Sequence, residues 1–238
     1  MQIKFLGTAN ASGIPVYNCQ CEICKKYREE KKFNNSTCAY LECDNKEIIL
    51  LDAGVDEISK LFDGKKIKAV FITHFHADHA LALLKLRYGK DKITCYHPKD
   101  EKGFADLFKH KLSINYIENK AFEQIVVNNI EFIPIPLKHS KNTTGYLIKD
   151  KDKTIAYLTD CAAIDEKSLN FLCKEKIDEC YIDACHAPSY PDKNHLNYEQ
   201  ATKILDKIKA KNSFLIHGSH ETLEYIKTNK IKLKYRYI

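Results

Sequence analysis

The chain has 238 residues, 44% of them hydrophobic and 29% charged, with a net charge of +6; this is the balance of a globular protein with one sizeable core. The lysines are scattered rather than blocked, which suits a small anionic substrate and makes nucleic acid an unlikely partner. No signal-like segment precedes the first strand pattern and no apolar run approaches a membrane span, so one cytoplasmic domain over 1–238, away from any membrane, is expected.

Met1 to Gly7 has the apolar pattern of a strand. After Ile14-Pro15-Val16-Tyr17 come Cys19, Cys21 and Cys24, three of the ten cysteines. In a reducing compartment such cysteines are thiols or metal ligands rather than disulfides. Three sulfurs this close can share one tetrahedral ion, and a closed thiolate-rich zinc shell then needs one more ligand, a histidine from a distant part of the chain. Such a shell would clip the loop at about 13–26 to the rest of the fold. The remaining cysteines, Cys38, Cys43, Cys95, Cys161, Cys173, Cys180 and Cys185, lie in or beside apolar runs and read as small buried hydrophobes.

Thr37–Cys43 and Glu47–Leu51 read as strands joined by an Asp44-Asn45-Lys46 turn. The second strand ends in Asp52-Ala53-Gly54, where the aspartate either orients neighbouring groups or simply forms the turn. Val55 to Phe62 shows helical spacing, and Ala69–Ile72 reads as a buried strand. It runs directly into Thr73-His74-Phe75-His76-Ala77-Asp78-His79, with the apolar helix pattern Ala80–Leu84 behind it. Three imidazoles and a carboxylate leaving one turn suit a divalent ion, and the alternation can either converge on one ion or divide between two.

Further on, Ile93–Tyr96 reads as a strand, Lys102–Phe108 as a short helix, and Ile114, Ile125–Val127 and Ile130–Ile135 as strands. Gly145–Ile148 and Thr154–Thr159 read as a hairpin, and Asn197–Lys209 as a helix. The recurring feature is a metal-capable residue after a short apolar run: His74, His139, Asp160 and His217 all stand there, so they can gather at one edge of the sheets. Asp183 also ends such a run, and His186 follows it either as support for a ligand or as a loop residue. His97 and His110 read as surface or loop histidines.

His74-x-His76-x-Asp78-His79, with His139, Asp160 and His217 following in that order, resembles the metallo-β-lactamase superfamily. The resemblance implies an α/β fold, a four-layer αββα sandwich of two facing mixed sheets with two divalent ions, Mn2+ or Zn2+, at one edge. One ion would take His74, His76 and His139, the other Asp78, His79 and His217, with Asp160 bridging; Asp52 matches the Asp-x-Gly turn that supports this site. The Cys19, Cys21, Cys24 motif after Gly13-Ile14-Pro15-Val16, the segment Asp106–His110, and Pro136–Lys141 with Gly145-Tyr146-Leu147 are similar to one subgroup, the phosphoribosyl 1,2-cyclic phosphate phosphodiesterases of the carbon–phosphorus lyase pathway. There, a histidine three residues beyond the last active-site histidine completes a structural zinc site, which places His220 with the three cysteines.

The implied activity is hydrolysis of a small cyclic phosphodiester by a hydroxide bridging the two metals. Asp78 is placed in the catalytic centre as well as among the ligands. His195, in Lys193-Asn194-His195-Leu196, matches the subgroup histidine that assists the leaving group or holds the phosphate, and a structural role beside the following helix is its alternative. Ribonuclease Z shares the ligand set and the His195-Leu196-Asn197 signature, but its tRNA-gripping arm would fall between His139 and Asp160, where only a hairpin fits. A non-hydrolytic cofactor-biosynthesis protein, like the pyrroloquinoline quinone accessory protein, would share the cysteine clip without needing every active-site ligand. A homodimer is compatible with all of these readings.

Overall fold

A computed structural model of the chain describes residues 1–43 and 45–238, so Asp44 of the expected turn lies outside the described residues. The first half supplies β1 (Ile3–Ala9), β2 (Asn35–Ser36), β3 (Cys38–Glu42), β4 (Ile48–Leu51), β5 (Ile67–Phe71), β6 (Ile93–His97) and β7 (Ile114–Glu118), paired in the order β2-β1-β3-β4-β5-β6-β7. The second half supplies β8 (Ile125–Val127), β9 (Ile130–Leu137), β10 (Thr143–Lys149), β11 (Thr154–Leu158), β12 (Glu179–Asp183), β13 (Asn212–Ile216) and β14 (Arg236–Tyr237), in the order β14-β13-β12-β11-β10-β9-β8. The helices are α1 (Glu22–Glu29), α2 (Ile58–Leu61), α3 (Ala77–Ala80), α4 (Leu83–Leu86), α5 (Glu166–Lys174), α6 (Tyr198–Ile208) and α7 (His220–Thr228).

Strand alternation sorts the core into layers. On β4, Ile49 and Leu51 join a cluster that also takes Phe132, Tyr146 and Tyr157 from the second sheet, whereas Ile48 and Leu50 face Ile58, Ala80 and Leu83 of the helices. On β12, Tyr181 points inward while Cys180 and Ile182 meet Leu172 of α5 and Ala201 and Leu205 of α6. Successive side chains on a strand point to opposite faces, so strands covered on both sides must be apolar throughout. The result is the αββα sandwich. Across its centre Phe71 stacks on Phe132 with ring centroids 3.8 Å apart, and the Tyr146 hydroxyl donates to the Ile72 carbonyl at 2.6 Å. Both contacts tie the strand that delivers His74 to the opposite sheet.

Several local expectations are corrected. Lys102–Phe108 forms turns rather than a helix, because the Asp100 carboxylate accepts from the Lys102 and Gly103 amides and Gly103 adopts a positive φ of 64°. The Val55–Phe62 spacing yields only the one-turn α2, and the Ala80–Leu84 pattern is split between α3 and α4. His97 is buried at the end of β6 within a ring cluster of Phe75, Phe108 and Tyr116, not a surface residue. Cys173 is exposed and Cys43 half-buried, so the apolar neighbours of these two did not place them in the core. Among the described residues no helix is long and apolar enough to cross a membrane.

Candidate active site

The ends of β4, β5, β9, β11 and β13 deliver Asp52, His74, His139, Asp160 and His217 to one edge of the sandwich. The turn after β5 adds His76, and α3 carries Asp78 and His79 in its first turn. Three nitrogens converge there: His76 Nδ1 lies 2.8 Å from His74 Nε2 and 3.3 Å from His139 Nε2. Asp160 reaches across the centre. Its Oδ2 lies 3.7 Å from His74 Nε2, 4.0 Å from His139 Nε2 and 3.3 Å from His79 Nε2, and its Oδ1 lies 3.1 Å from His217 Nδ1. Asp78 Oδ2 stands 3.3 Å from His79 Nε2. The structure therefore brings His74, His76, Asp78, His79, His139, Asp160 and His217 together at this edge.

The rings are held from behind. His79 Nδ1 donates to Asp52 Oδ2 at 2.9 Å, and His139 Nδ1 donates to the Asn194 carbonyl at 2.8 Å. The Thr73 hydroxyl accepts from His74 Nδ1 at 3.0 Å and donates to Asp52 Oδ1 at 2.9 Å, which also accepts from the Thr73 amide. Partners of this kind fix the tautomer and leave the opposite nitrogen with a lone pair for a metal. Asp52 is fully buried beneath the cluster and has φ 63°, while His217 has φ 62°, so both strand ends hold a non-glycine residue in left-handed backbone. Such conformations cost free energy and concentrate at functional sites. Gly54 permits the close approach of this turn to α3: a Cβ there would lie 1.5 Å from the Asp78 carbonyl.

The donor set fits divalent ions. His79 Nε2 is buried and has no hydrogen-bond partner among the described residues, although two carboxylates flank it. Burial opposes a charge on His79, yet Asp160 and Asp52 outweigh it and hold its pKa well above the ordinary imidazole range. Burial likewise opposes ionisation of Asp160, but His217 and His79 keep it well below the usual carboxylate range. This electronegative centre calls for a cation, and imidazole and carboxylate donors suit zinc, manganese or iron. Two of the groupings able to hold an ion are His74, His76, His139 and His74, His79, Asp160.

A second grouping is Cys19, Cys21, Cys24 and His220. Cys21 caps α1, and its sulfur accepts from the Cys24 amide at 3.4 Å. His220 Nδ1 lies 3.5 Å from the Cys19 sulfur and 3.4 Å from the Cys21 sulfur, while Nε2 pairs with Glu221 at 2.8 Å. His220, the first residue of α7, is thus brought beside the three clustered thiols.

His195 stands beside the ligands, its ring centroid 4.9 Å from those of His139 and His217. Its Nδ1 donates to Asp183 Oδ2 at 2.8 Å. Burial disfavours the imidazolium, but Asp183 prevails and lifts the pKa to about 9. The helix beyond it does not use His195 as a cap: Asn197 and Gln200 form a capping box there. His186 is turned away from the ligands. It stacks on Tyr190 at 4.5 Å and lies 3.4 Å from Asp192 Oδ2, and thus backs the loop carrying His195 rather than a metal ligand. Sequence reasoning missed the roles of Thr73, Asn194 and Asp183. Asp183 had a readable signal, since it ends an apolar strand as Asp160 does; it is fully buried and also accepts from the Cys161 and Cys185 amides.

A crystal structure described as a new diphosphatase from the PhnP family superposes with a TM-score of 0.82 at 25% identity, covering 99% of this chain and 92% of that one. The coenzyme PQQ synthesis protein B of Methylobacterium radiotolerans is 22% identical over 205 residues, 70% of this chain and 67% of that protein. A ribonuclease Z of Pyrococcus horikoshii is 30% identical over 123 residues, 45% of this chain and 40% of that protein. The chain thus spans about two thirds of the first relative and less than half of the second. A model described as a β-lactamase superfamily domain matches residues 48–218, most of the chain and the whole of the His/Asp edge, and the chain belongs to that family.

Proposed function

We propose that the protein is a metal-dependent phosphodiesterase acting on a small cyclic phosphodiester, with phosphoribosyl 1,2-cyclic phosphate as the substrate favoured by its resemblance to that subgroup. The observation that carries this reading is the pairing of a full His/Asp ligand set with a non-ligand histidine, His195, held at its margin by a buried carboxylate. In the proposed assignment His74, His76 and His139 hold one ion, Asp78, His79 and His217 hold the other, and Asp160 contacts both. Cys19, Cys21, Cys24 and His220 hold a structural zinc. When bound, a pair of divalent ions supplies a hydroxide nucleophile at neutral pH and neutralises charge on the phosphoryl oxygens.

The chain's own residues do the rest. Asp183 fixes the proton on His195 Nδ1, so Nε2 is the nitrogen free to carry a proton to the departing sugar oxygen. Thr73 and Asp52 lock His74 and His79, and Asn194 locks His139 through the same loop that positions His195. A ribonuclease Z-like reading is less favoured, because β10 and β11 are joined by a turn of only 150–153, which offers no room for a tRNA-gripping arm. The complete ligand set speaks against a non-hydrolytic role. A small anion is the proposed partner, and any homodimer would be an addition to a site that one chain already furnishes.

Turnover on ribosyl cyclic phosphates, nucleoside cyclic phosphates and tRNA precursors tests the assignment; tRNA cleavage as fast as sugar phosphate opening would overturn it. His195→Ala should keep its metal content but lose ~10²–10⁴-fold in kcat on the cyclic sugar phosphate. An aryl phosphodiester, whose leaving group needs no proton, should be affected far less. An equal loss on both substrates would reject the acid role.

A further inference from the structure

Cys185, a thiol outside the clip, groups with two histidines at the margin of the active site. It is buried, and its sulfur lies with ring nitrogens of His195 and His217, the three donor atoms all within 4.8 Å of one another. We propose that Cys185, His195 and His217 form a further metal site, for a borderline-soft divalent ion such as Zn2+ or Cd2+, whose occupation inhibits the enzyme by taking His195 out of the reaction and drawing His217 from the active-site shell. The inhibitory part rests on the readings of His195 and His217 given above; the geometry of the site does not.

The sulfur is fixed in place. The Cys185 amide donates to Asp183 Oδ1 at 3.0 Å, and the Cys185 carbonyl accepts from the Thr222 hydroxyl at 2.7 Å. Asn10, whose amide donates to the Gly218 carbonyl at 3.3 Å, directs Nδ2 at the sulfur from 3.9 Å. That N–H is only a small aid to the thiolate: burial, then the Asp183 and Asp160 carboxylates, hold the Cys185 thiol well above its ordinary range, so the bound ion itself must displace the proton. His195 is better prepared: with Nδ1 donating to the Asp183 carboxylate, Nε2 is left as the donor, the arrangement that raises ligand basicity in carboxylate–histidine–metal triads. With Zn–S near ~2.3 Å and Zn–N near ~2.0–2.1 Å, sulfur and nitrogen ligands of one ion stand roughly 3.5–4 Å apart, so small rotations close the shell. A thiolate with two imidazoles selects zinc or cadmium over manganese. Binding would release the thiol proton and compete for His217 with the ions of the active site.

The test is to add Cd2+ or Zn2+ to the holoenzyme beyond its resident metals. Cd2+ should raise a thiolate-to-metal charge-transfer band, and turnover on the cyclic sugar phosphate should fall by ~10²-fold, the scale of a lost general acid. Brief treatment with a mild chelator, followed by restoration of the resident metals, should reverse both. In Cys185→Ala the added ion should give neither the extra band nor the inhibition, while turnover with resident metals is retained; Cys185→Ser provides the same reading if the alanine variant fails to fold. The clip thiols are intact in these variants, so a band that persists undiminished overturns the site. A Cys185-dependent band with unchanged turnover overturns the inhibitory role, and this outcome separates it from failure of the phosphodiesterase reading, which the spectrum does not require.

Discussion

The two candidate metal sites are joined by four consecutive residues, His217-Gly218-Ser219-His220, yet they are built in opposite ways. At the clip, sulfur donors come from one short loop, backbone amides of Val16, Cys21 and Cys24 point at the sulfurs, and Arg28 holds the loop carbonyls of Val16 and Cys19. At the open site no assigned donor is a thiol, the ligands arrive from four strand ends, the turn after β5 and α3, and their rings are backed by separate partners such as Asp52, Thr73 and Asn194. A four-donor thiolate shell directs its binding free energy into holding chain segments together; a shell of imidazoles and carboxylates with positions to spare leaves coordination for a reaction. The difference separates stability from turnover, and the following experiments press on it.

Mild chelation should have the largest effect: activity should be abolished while one zinc per chain remains. Metal analysis after dialysis checks this, and retention of no zinc would remove the distinction between the sites. Asp160→Ala comes next, with turnover reduced by ~10³-fold or more, several kcal/mol of transition-state stabilisation, because Asp160 faces both ligand groups. Its melting temperature should change little; unchanged turnover would sink the dinuclear assignment. Asp52→Asn should cost about 10–100-fold in metal affinity or activity, as expected for a partner that orients a ligand. Titrating the apoprotein with Mn2+ or Zn2+ measures it, and wild-type affinity with wild-type turnover would show that the Asp52–His79 bond is dispensable. Cys21→Ser should act on stability alone: each kcal/mol lost from the clip should lower Tm by ~2–4 °C in a chain of this size, with kcat nearly constant. A greater loss of kcat than of Tm would show that the clip serves catalysis.

The open site was readable because its chemistry is concentrated at strand ends. Four metal-capable side chains in His74–His79 follow a buried strand, and His139, Asp160 and His217 repeat the arrangement singly. The clip was half legible from spacing, which groups the cysteines; His220 came only from the resemblance, and in the structure α1 packing beside α7 brings it to them. Asp183 escaped because one aspartate after one strand is equally a turn residue, and its bond to His195 spans a loop whose path no local pattern specifies. The same limit applies to helices. α1, α5 and α7 have polar caps at Cys21, Asp165 and Ser219, but their apolar faces are short, and packing rather than periodicity decides that they form. Lys102–Phe108 failed in the other direction, where side-chain bonds from Asp100 favour turns over a helix.

The position of His217 and His220 also sets an order of events during synthesis. Neither the proposed clip ion nor the ion assigned to Asp78, His79 and His217 can acquire its full shell until a segment more than 190 residues beyond Cys24 has left the ribosome. Chains emerge at about 5–20 residues per second, so the early thiols wait ~10–40 s for their histidine. In that interval Cys19, Cys21 and Cys24 are open to oxidation or to capture of a competing thiophilic metal. With zinc at the clip as proposed, its delivery late in translation, rather than folding of the N-terminal strands, would be the step that decides whether a new chain is clipped correctly.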